Sequence, residues 1–109
     1  MKTITILFKE VNCKPKIMKI ENSLKSFQEL VEGFIEIVAL GDETELVLNE
    51  EGKLKELPLN GCLVSKNRVL DTIAGNYFIC STKDDEFTSL SDEQIAKYLE
   101  MTKKGLIEI

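Results

Sequence analysis

The chain alternates between short apolar runs and polar turns. Residues 3–8 and 16–20 are rich in β-branched side chains, and a polar segment at 11–15 separates them. This pattern predicts an antiparallel pair of strands. Two more apolar runs, at 34–40 and 44–49, predict further strands. The run at 34–40 is the most hydrophobic, so we expect it to be the central strand of a sheet.

One segment near the N-terminus has the spacing of an amphipathic helix. Its apolar positions recur every three or four residues, at Leu24, Phe27, Leu30 and Val31. Asn22 or Ser23 precedes this stripe and can cap a helix through its side-chain oxygen. Gly33 follows it and can adopt the left-handed conformation in which many helices end. The segment therefore predicts a short helix that stops at Gly33.

The clearest local signal lies near the C-terminus. Ser91 and Gln94 have the spacing of a capping box, in which each side chain bonds the other residue's backbone N–H. Leu90 and Ile95 flank the box as a hydrophobic staple, and Gly105 is placed to end the helix. A helix is therefore predicted between Ser91 and Gly105.

The middle of the chain is less regular. Pro58 argues against a central strand around it, so we expect a loop or a short helical turn there. A last strand is predicted at 76–81. The predicted order is β-β-α-β-β, an irregular middle, β and α. This order indicates one α+β domain over residues 1–109, with a mainly antiparallel sheet of about five strands and two helices.

Composition supports a single folded domain. The 109 residues are 43% hydrophobic and 30% charged, and the net charge is −5. The charge is uneven, because residues 1–25 sum to +4 and residues 26–60 to −7. Such polarity suits charge-matched or head-to-tail contacts between proteins, although solvated surface charge is the commoner explanation. An acidic chain also attracts nucleic acid weakly.

Most familiar chemistries are excluded. The chain has no His, no Cys-x-x-Cys and no glycine-rich phosphate loop. His-dependent nucleophilic catalysis and a structural zinc site are therefore not expected. The three cysteines fit reduced thiols, and Cys80 lies in an apolar run that we assign to the core. No run approaches the ~20 apolar residues of a membrane span. We expect no cofactor, metal, nucleic-acid or membrane binding, and a cytoplasmic location in a bacterial host.

Three polar segments remain as candidates for ligand contact. They are a turn at 49–53, the segment 57–60, and the chain's single arginine at 68. Arginine suits bidentate contact with phosphate or carboxylate. The alternatives are ordinary turns and a surface pair between Arg68 and Asp71. The candidate ligand-binding residues are Asn49, Glu50, Lys53, Asn60, Arg68 and Tyr77.

Several of these segments resemble the family called domain of unknown function 3846. The similar stretches are Leu30-Val-Glu-Gly-Phe-Ile-Glu-Ile-Val, Asn49-Glu-Glu-Gly-Lys-Leu, Leu57-Pro-Leu-Asn, Asp71-Thr-Ile-Ala-Gly and Phe87-Thr-Ser-Leu-Ser-Asp-Glu-Gln-Ile. They follow the family's order over nearly the whole chain. Members commonly have Arg after Leu-Pro-Leu-Asn, where this chain has Gly61, and this weakens a phosphate-binding role at that position. The resemblance implies a protein of phages and mobile elements, without an established activity.

The resulting hypothesis is a non-enzymatic phage-type protein that counters host defence. It would sequester a small nucleotide-like immune signal, and a domain of this size would then form a homo-oligomer to enclose its ligand. Three alternatives stay open. One is an inhibitor that binds a host defence protein directly, which needs roughly 800 Å² of interface on each partner. The second is a small carboxylate-dependent nucleotide hydrolase. The third is a structural or regulatory accessory protein with no ligand.

Overall fold

The structure is a computed structural model that describes residues 2–109. Across these residues the chain forms nine strands and two helices. In chain order they are β1 (Thr3–Lys9), β2 (Lys16–Glu21), α1 (Leu24–Val31), β3 (Ile35–Gly41), β4 (Thr44–Asn49), β5 (Leu59–Ser65), β6 (Arg68–Ala74), β7 (Tyr77–Lys83), β8 (Glu86–Thr88), α2 (Asp92–Lys104) and β9 (Leu106–Glu108). The α+β class, the two helices and the predicted β1–β2 pair are confirmed.

The main sheet is antiparallel and has the order β2-β1-β7-β4-β3, with β8 paired to the end of β7. Its central strand is β7, whose first five residues are buried. The prediction that 34–40 forms the central strand is wrong, because β3 lies at the edge of the sheet. Hydrophobicity could not distinguish the two strands, since both are apolar and the pairing partners lie far away in sequence.

A second, three-stranded sheet has the order β6-β5-β9. Strands β5 and β6 form a hairpin with two register irregularities, and β9 pairs with β5 in parallel. Between β4 and the end of β6, the chain is irregular at residues 50–58 and in the two-residue turn at 66–67. The expectation of irregular structure is wrong for the residues of β5 and β6. Pro58 lies just before β5, so its missing N–H removes no bond from that strand's pairing.

Both faces of the main sheet are covered. On one face, α1 packs through Phe27 and Val31 against residues such as Phe78. On the other face, the second sheet and α2 contribute Ile73, Ile107 and Tyr98 to a second apolar cluster. The predicted core position of Cys80 is confirmed, since it is fully buried. In residues 2–109, neither helix is long and apolar enough to cross a membrane.

The helix ends follow the predictions with one exception. Ser23 caps α1, and Ser91 and Gln94 form the predicted capping box of α2. Gly105 ends α2 in the left-handed region, at φ 74°. At the end of α1, however, Glu32 and not Gly33 takes the left-handed conformation, at φ 61°. The glycine is needed for space, because a Cβ at Gly33 would lie 2.6 Å from Asn49 Nδ2.

Candidate functional site

A cleft rich in lysine opens where three segments meet. The turn after β1, the start of β5 and the C-terminal turn of α2 border this open groove, which has a volume of about 850 Å³. We call this the basic cleft. Its lining residues are Lys9, Asn12, Cys13, Lys14, Pro15, Leu59, Asn60, Gly61, Cys62, Thr102, Lys103, Lys104 and Gly105. The volume falls within the range of about 300–1,000 Å³ that is typical of small-molecule sites.

Asn60 holds the floor of this cleft together. It is 9% exposed, and its side-chain amide donates to the backbone carbonyls of Lys9 (3.0 Å) and Gly75 (2.9 Å). Its carbonyl accepts a hydrogen bond from Lys9 Nζ at 2.8 Å. The three bonds fix β5 against the end of β1. They also place the Lys9 ammonium at the cleft before any ligand arrives.

The charge of the basic cleft is opposite to that of the chain. Four lysines line it, and none of the lining residues is acidic. Lys103 makes one exposed contact with Glu100 at 3.7 Å, a pairing that solvent weakens. In a protein of net charge −5, four clustered ammonium groups create a local positive potential that favours an anionic ligand.

The cleft also contains the C-terminal end of α2, where backbone carbonyls carry partial negative charge. Two of those carbonyls are hydrogen-bonded to the residue that ends the helix. The Gly105 N–H bonds the carbonyls of Met101 and Thr102, and the Gly105 carbonyl accepts from Cys62 N at 2.9 Å. Lys103 and Lys104 lie in the last turn of the helix and offset the remaining dipole. The helix end is therefore compatible with an anion in the cleft.

A second, smaller cavity of about 330 Å³ lies between the β3–β4 edge and the β5–β6 hairpin. Lys53 spans it and pairs with the Asp71 carboxylate. The hydrogen bond from Lys53, together with that from the Thr72 N–H, lowers the pKa of Asp71. Glu36 and Glu50 also line this cavity, so its charge is opposite to that of the basic cleft.

Comparison with known proteins places the chain in a family. The model of the family described as a domain of unknown function, DUF3846, matches residues 1–103. The chain belongs to the DUF3846 family. Neither the curated proteins nor the solved structures contain a match. The family match therefore confirms the resemblance, and it assigns no activity. It ends before Lys104, Gly105 and β9, so part of the basic cleft lies beyond it.

The candidate residues of this DUF3846 domain do not form one site. Asn49, Glu50 and Lys53 line the smaller cavity, and Asn60 lines the basic cleft. Asn49 is buried and bonds internally, since it donates to the Val31 carbonyl at 3.1 Å and accepts from Glu51 N at 2.8 Å. It links the end of α1 to the following turn.

The other two candidates lie apart from both cavities. Arg68 is exposed and is the first residue of β6, directly after the two-residue turn of the hairpin. Tyr77 is fully buried in the core, where burial raises the pKa of its hydroxyl. That hydroxyl has no hydrogen-bond partner among the described residues. The Tyr77 hydroxyl lies close to Gly61: a Cβ atom added to Gly61 would be 4.0 Å from the hydroxyl oxygen.

Sequence reasoning missed the lysines of the basic cleft. Lys9 and Lys14 come from the N-terminal segment, and Lys103 and Lys104 from the end of α2. Two signals were present in the DUF3846 sequence: the +4 balance of residues 1–25, and a lysine pair directly before a helix-ending glycine. Neither signal shows that the two pairs of lysines meet. That depends on β9, which brings the end of α2 beside β5.

Proposed function

We propose that this protein is a non-enzymatic binding protein that holds a small anionic, nucleotide-like ligand in the basic cleft. The observation that carries the proposal is the lining of four lysines without an acidic residue. Lysine ammonium groups donate strong hydrogen bonds to phosphate oxygens. Several such groups around one cavity suit a ligand with more than one phosphate charge.

The remainder of the lining suits the uncharged part of a nucleotide. Leu59 is 64% exposed and, together with Pro15, offers an apolar surface for a base or sugar. Asn12 and Thr102 add polar atoms. Ligand sites in proteins commonly combine an apolar wall with a few polar or charged groups that orient the ligand.

The biological role that we propose is sequestration of a host immune signal by a phage-type protein in the bacterial cytoplasm. The role rests on the phage and mobile-element origin that the resemblance to the DUF3846 family implies, since the family model itself assigns no activity. Sequestration requires that the ligand be held and released intact. The lysine lining suits a site that holds its ligand intact, since the lining residues include no Asp, Glu or His that could act as a general base for hydrolysis.

The first experiment identifies what the protein carries. Small molecules released by heating the purified protein are analysed by mass spectrometry, and binding of a panel of mono-, di- and cyclic nucleotides is measured by calorimetry. We expect at least one phosphate-bearing compound to bind and to be recovered unchanged. Inorganic phosphate should compete only weakly, because it cannot use the apolar wall. Release of a hydrolysis product would overturn sequestration in favour of an enzyme.

A pair of double variants tests whether the ligand binds in the basic cleft. Lys14→Gln/Lys104→Gln removes one charge from each of two chain segments that line the cleft. We expect it to weaken binding by about a hundredfold, which is roughly 3 kcal/mol. The matched control is Lys25→Gln/Lys83→Gln, which removes two exposed lysines elsewhere. Equal affinity of the two double variants would show that the ligand does not bind in the basic cleft.

A further inference from the structure

The main sheet ends in two unpaired strands of opposite charge. Within residues 2–109, β2 pairs with β1 alone and β3 pairs with β4 alone. Each strand therefore presents a free row of backbone N–H and C=O groups, to which another strand can add. The two edges lie at opposite ends of the order β2-β1-β7-β4-β3.

The β2 edge is basic. Lys14, Lys16 and Lys19 are all exposed, and against these three lysines the segment 14–21 has one acid, the terminal Glu21 of β2. Lys16 and Lys19 belong to the strand itself. None of the three lysines makes an ion pair with another described residue. Their charge is therefore available to a neighbouring molecule.

The β3 edge is acidic. Glu32, Glu36 and Glu43 are exposed, and residues 32–43 contain no lysine or arginine. Asp42 is already paired with Lys97, and that hydrogen bond raises the pKa of Lys97. The three glutamates have no such partner in the described residues. The segment thus offers negative charge where the β2 edge offers positive charge.

Both edges also expose apolar side chains. Ile17 is 51% exposed in β2, and Ile37 is 48% exposed in β3. Phe34, directly before β3, is 65% exposed. Proteins usually protect free edges with charged residues and avoid exposed apolar ones. Here charge opposes the pairing of two β2 edges or of two β3 edges, and it favours the pairing of a β2 edge with a β3 edge. Pairing of β2 with β3 would also cover the exposed apolar residues.

We propose that a second copy of the chain binds head to tail, with its β2 edge against the β3 edge of the first copy. The opposite edge charges and the exposed isoleucine on each edge together select this occupant. Because the contact uses two different surfaces, each added copy leaves one free edge of each kind. The assembly therefore closes into a ring or extends as a filament, and it does not stop at a twofold dimer. This inference is independent of the ligand in the basic cleft.

The test is the solution mass of the full chain at different salt concentrations. Sedimentation velocity should give the wild type a mass above that of the monomer at about 0.01 M salt, where the Debye length is about 30 Å. At about 1 M salt the Debye length is about 3 Å, and the mass should return toward that of the monomer. Lys16→Glu/Lys19→Glu makes both edges acidic. Glu32→Lys/Glu36→Lys leaves two lysines against Glu43 on the β3 edge and so makes both edges basic. Each variant alone should be monomeric, whereas an equimolar mixture should associate.

Matched controls keep the net charge changes and leave the edges intact. Lys25→Glu/Lys83→Glu and Glu29→Lys/Glu86→Lys change exposed residues that lie outside both edges, and they should assemble as the wild type does. Circular dichroism confirms that every variant is folded. Association of either edge variant alone, or failure of the folded mixture to associate, overturns the proposal. A wild-type protein that stays monomeric at low salt also overturns the proposal. This holds too if that monomer binds an extended acidic peptide along β2, because the occupant of the edge is then a different partner.

Discussion

Replacement of Asn60 by alanine tests whether this residue is a structural brace or a ligand contact. Asn60→Ala removes the hydrogen bonds to the Lys9 and Gly75 carbonyls and to Lys9 Nζ. Each bond contributes about 1 kcal/mol net, and the two carbonyls lose their partner in a largely buried place. We therefore expect the free energy of unfolding to fall by about 2–4 kcal/mol, a large part of the ~5–15 kcal/mol of a typical domain.

Urea denaturation followed by far-ultraviolet circular dichroism measures this loss. With a slope of about 1.5 kcal/mol per molar urea, a loss of 3 kcal/mol moves the midpoint by about 2 M. Lys9→Met is the control, because it removes the ammonium and keeps the backbone carbonyl. It should cost less than about 1 kcal/mol. If Asn60→Ala loses ligand binding but unfolds within about 0.5 kcal/mol of the wild type, Asn60 is a ligand contact and the bracing argument is wrong.

Three further predictions follow from the buried core. Tyr77→Phe removes a hydroxyl without a partner in the described residues, so thermal denaturation should show unchanged or slightly higher stability, by up to about 1 kcal/mol; a clear loss would reveal a missed bond. Gly52→Ala places a Cβ 2.5 Å from the Ala74 carbonyl oxygen and should cost about 1–3 kcal/mol in urea denaturation, whereas wild-type stability would contradict the close approach. Burial raises the pKa of the Cys80 thiol to about 12, above its ordinary 9.0. The stability that the neutral Cys80 thiol contributes below pH about 9 should therefore be lost as the pH rises toward 12. At neutral pH, a thiol reagent should label exposed Cys13 long before buried Cys80, which peptide mass spectrometry measures.

Local signals in the sequence predicted local structure well. The capping box of Ser91 and Gln94 and the terminating Gly105 are confirmed, because every interaction involved lies within one helical turn. The strand at 44–49 is confirmed at both ends. In each case the deciding signal, a helix cap or a short apolar run bounded by turns, involves residues close together in the sequence.

Predictions failed where distant residues decide the outcome. Gly33 was predicted to adopt the left-handed conformation at the end of α1, but Glu32 adopts it. A glycine is needed at position 33 because the Asn49 side chain packs against it. The central position of β7 depends on pairing with β1 and β4, which no local pattern indicates. The position of Asn60 in the basic cleft depends on partners that the sequence does not indicate, since Lys9 and Gly75 lie 51 and 15 residues away. Its contact with a ligand stays a prediction.

The order of strands turns a charge pattern along the chain into one in space. The basic N-terminal segment supplies β1 and β2 at one side of the main sheet, and the acidic segment that follows supplies β3 and β4 at the other. A chain of net charge −5 thereby gains one basic side, where both the cleft and the β2 edge lie. Salt would weaken anion binding and self-association alike, so salt dependence alone cannot separate the two proposals. Lys104 lines the cleft and lies outside β2, whereas Lys19 lies in β2 and outside the cleft lining. Substitution of these two residues one at a time therefore separates the effects.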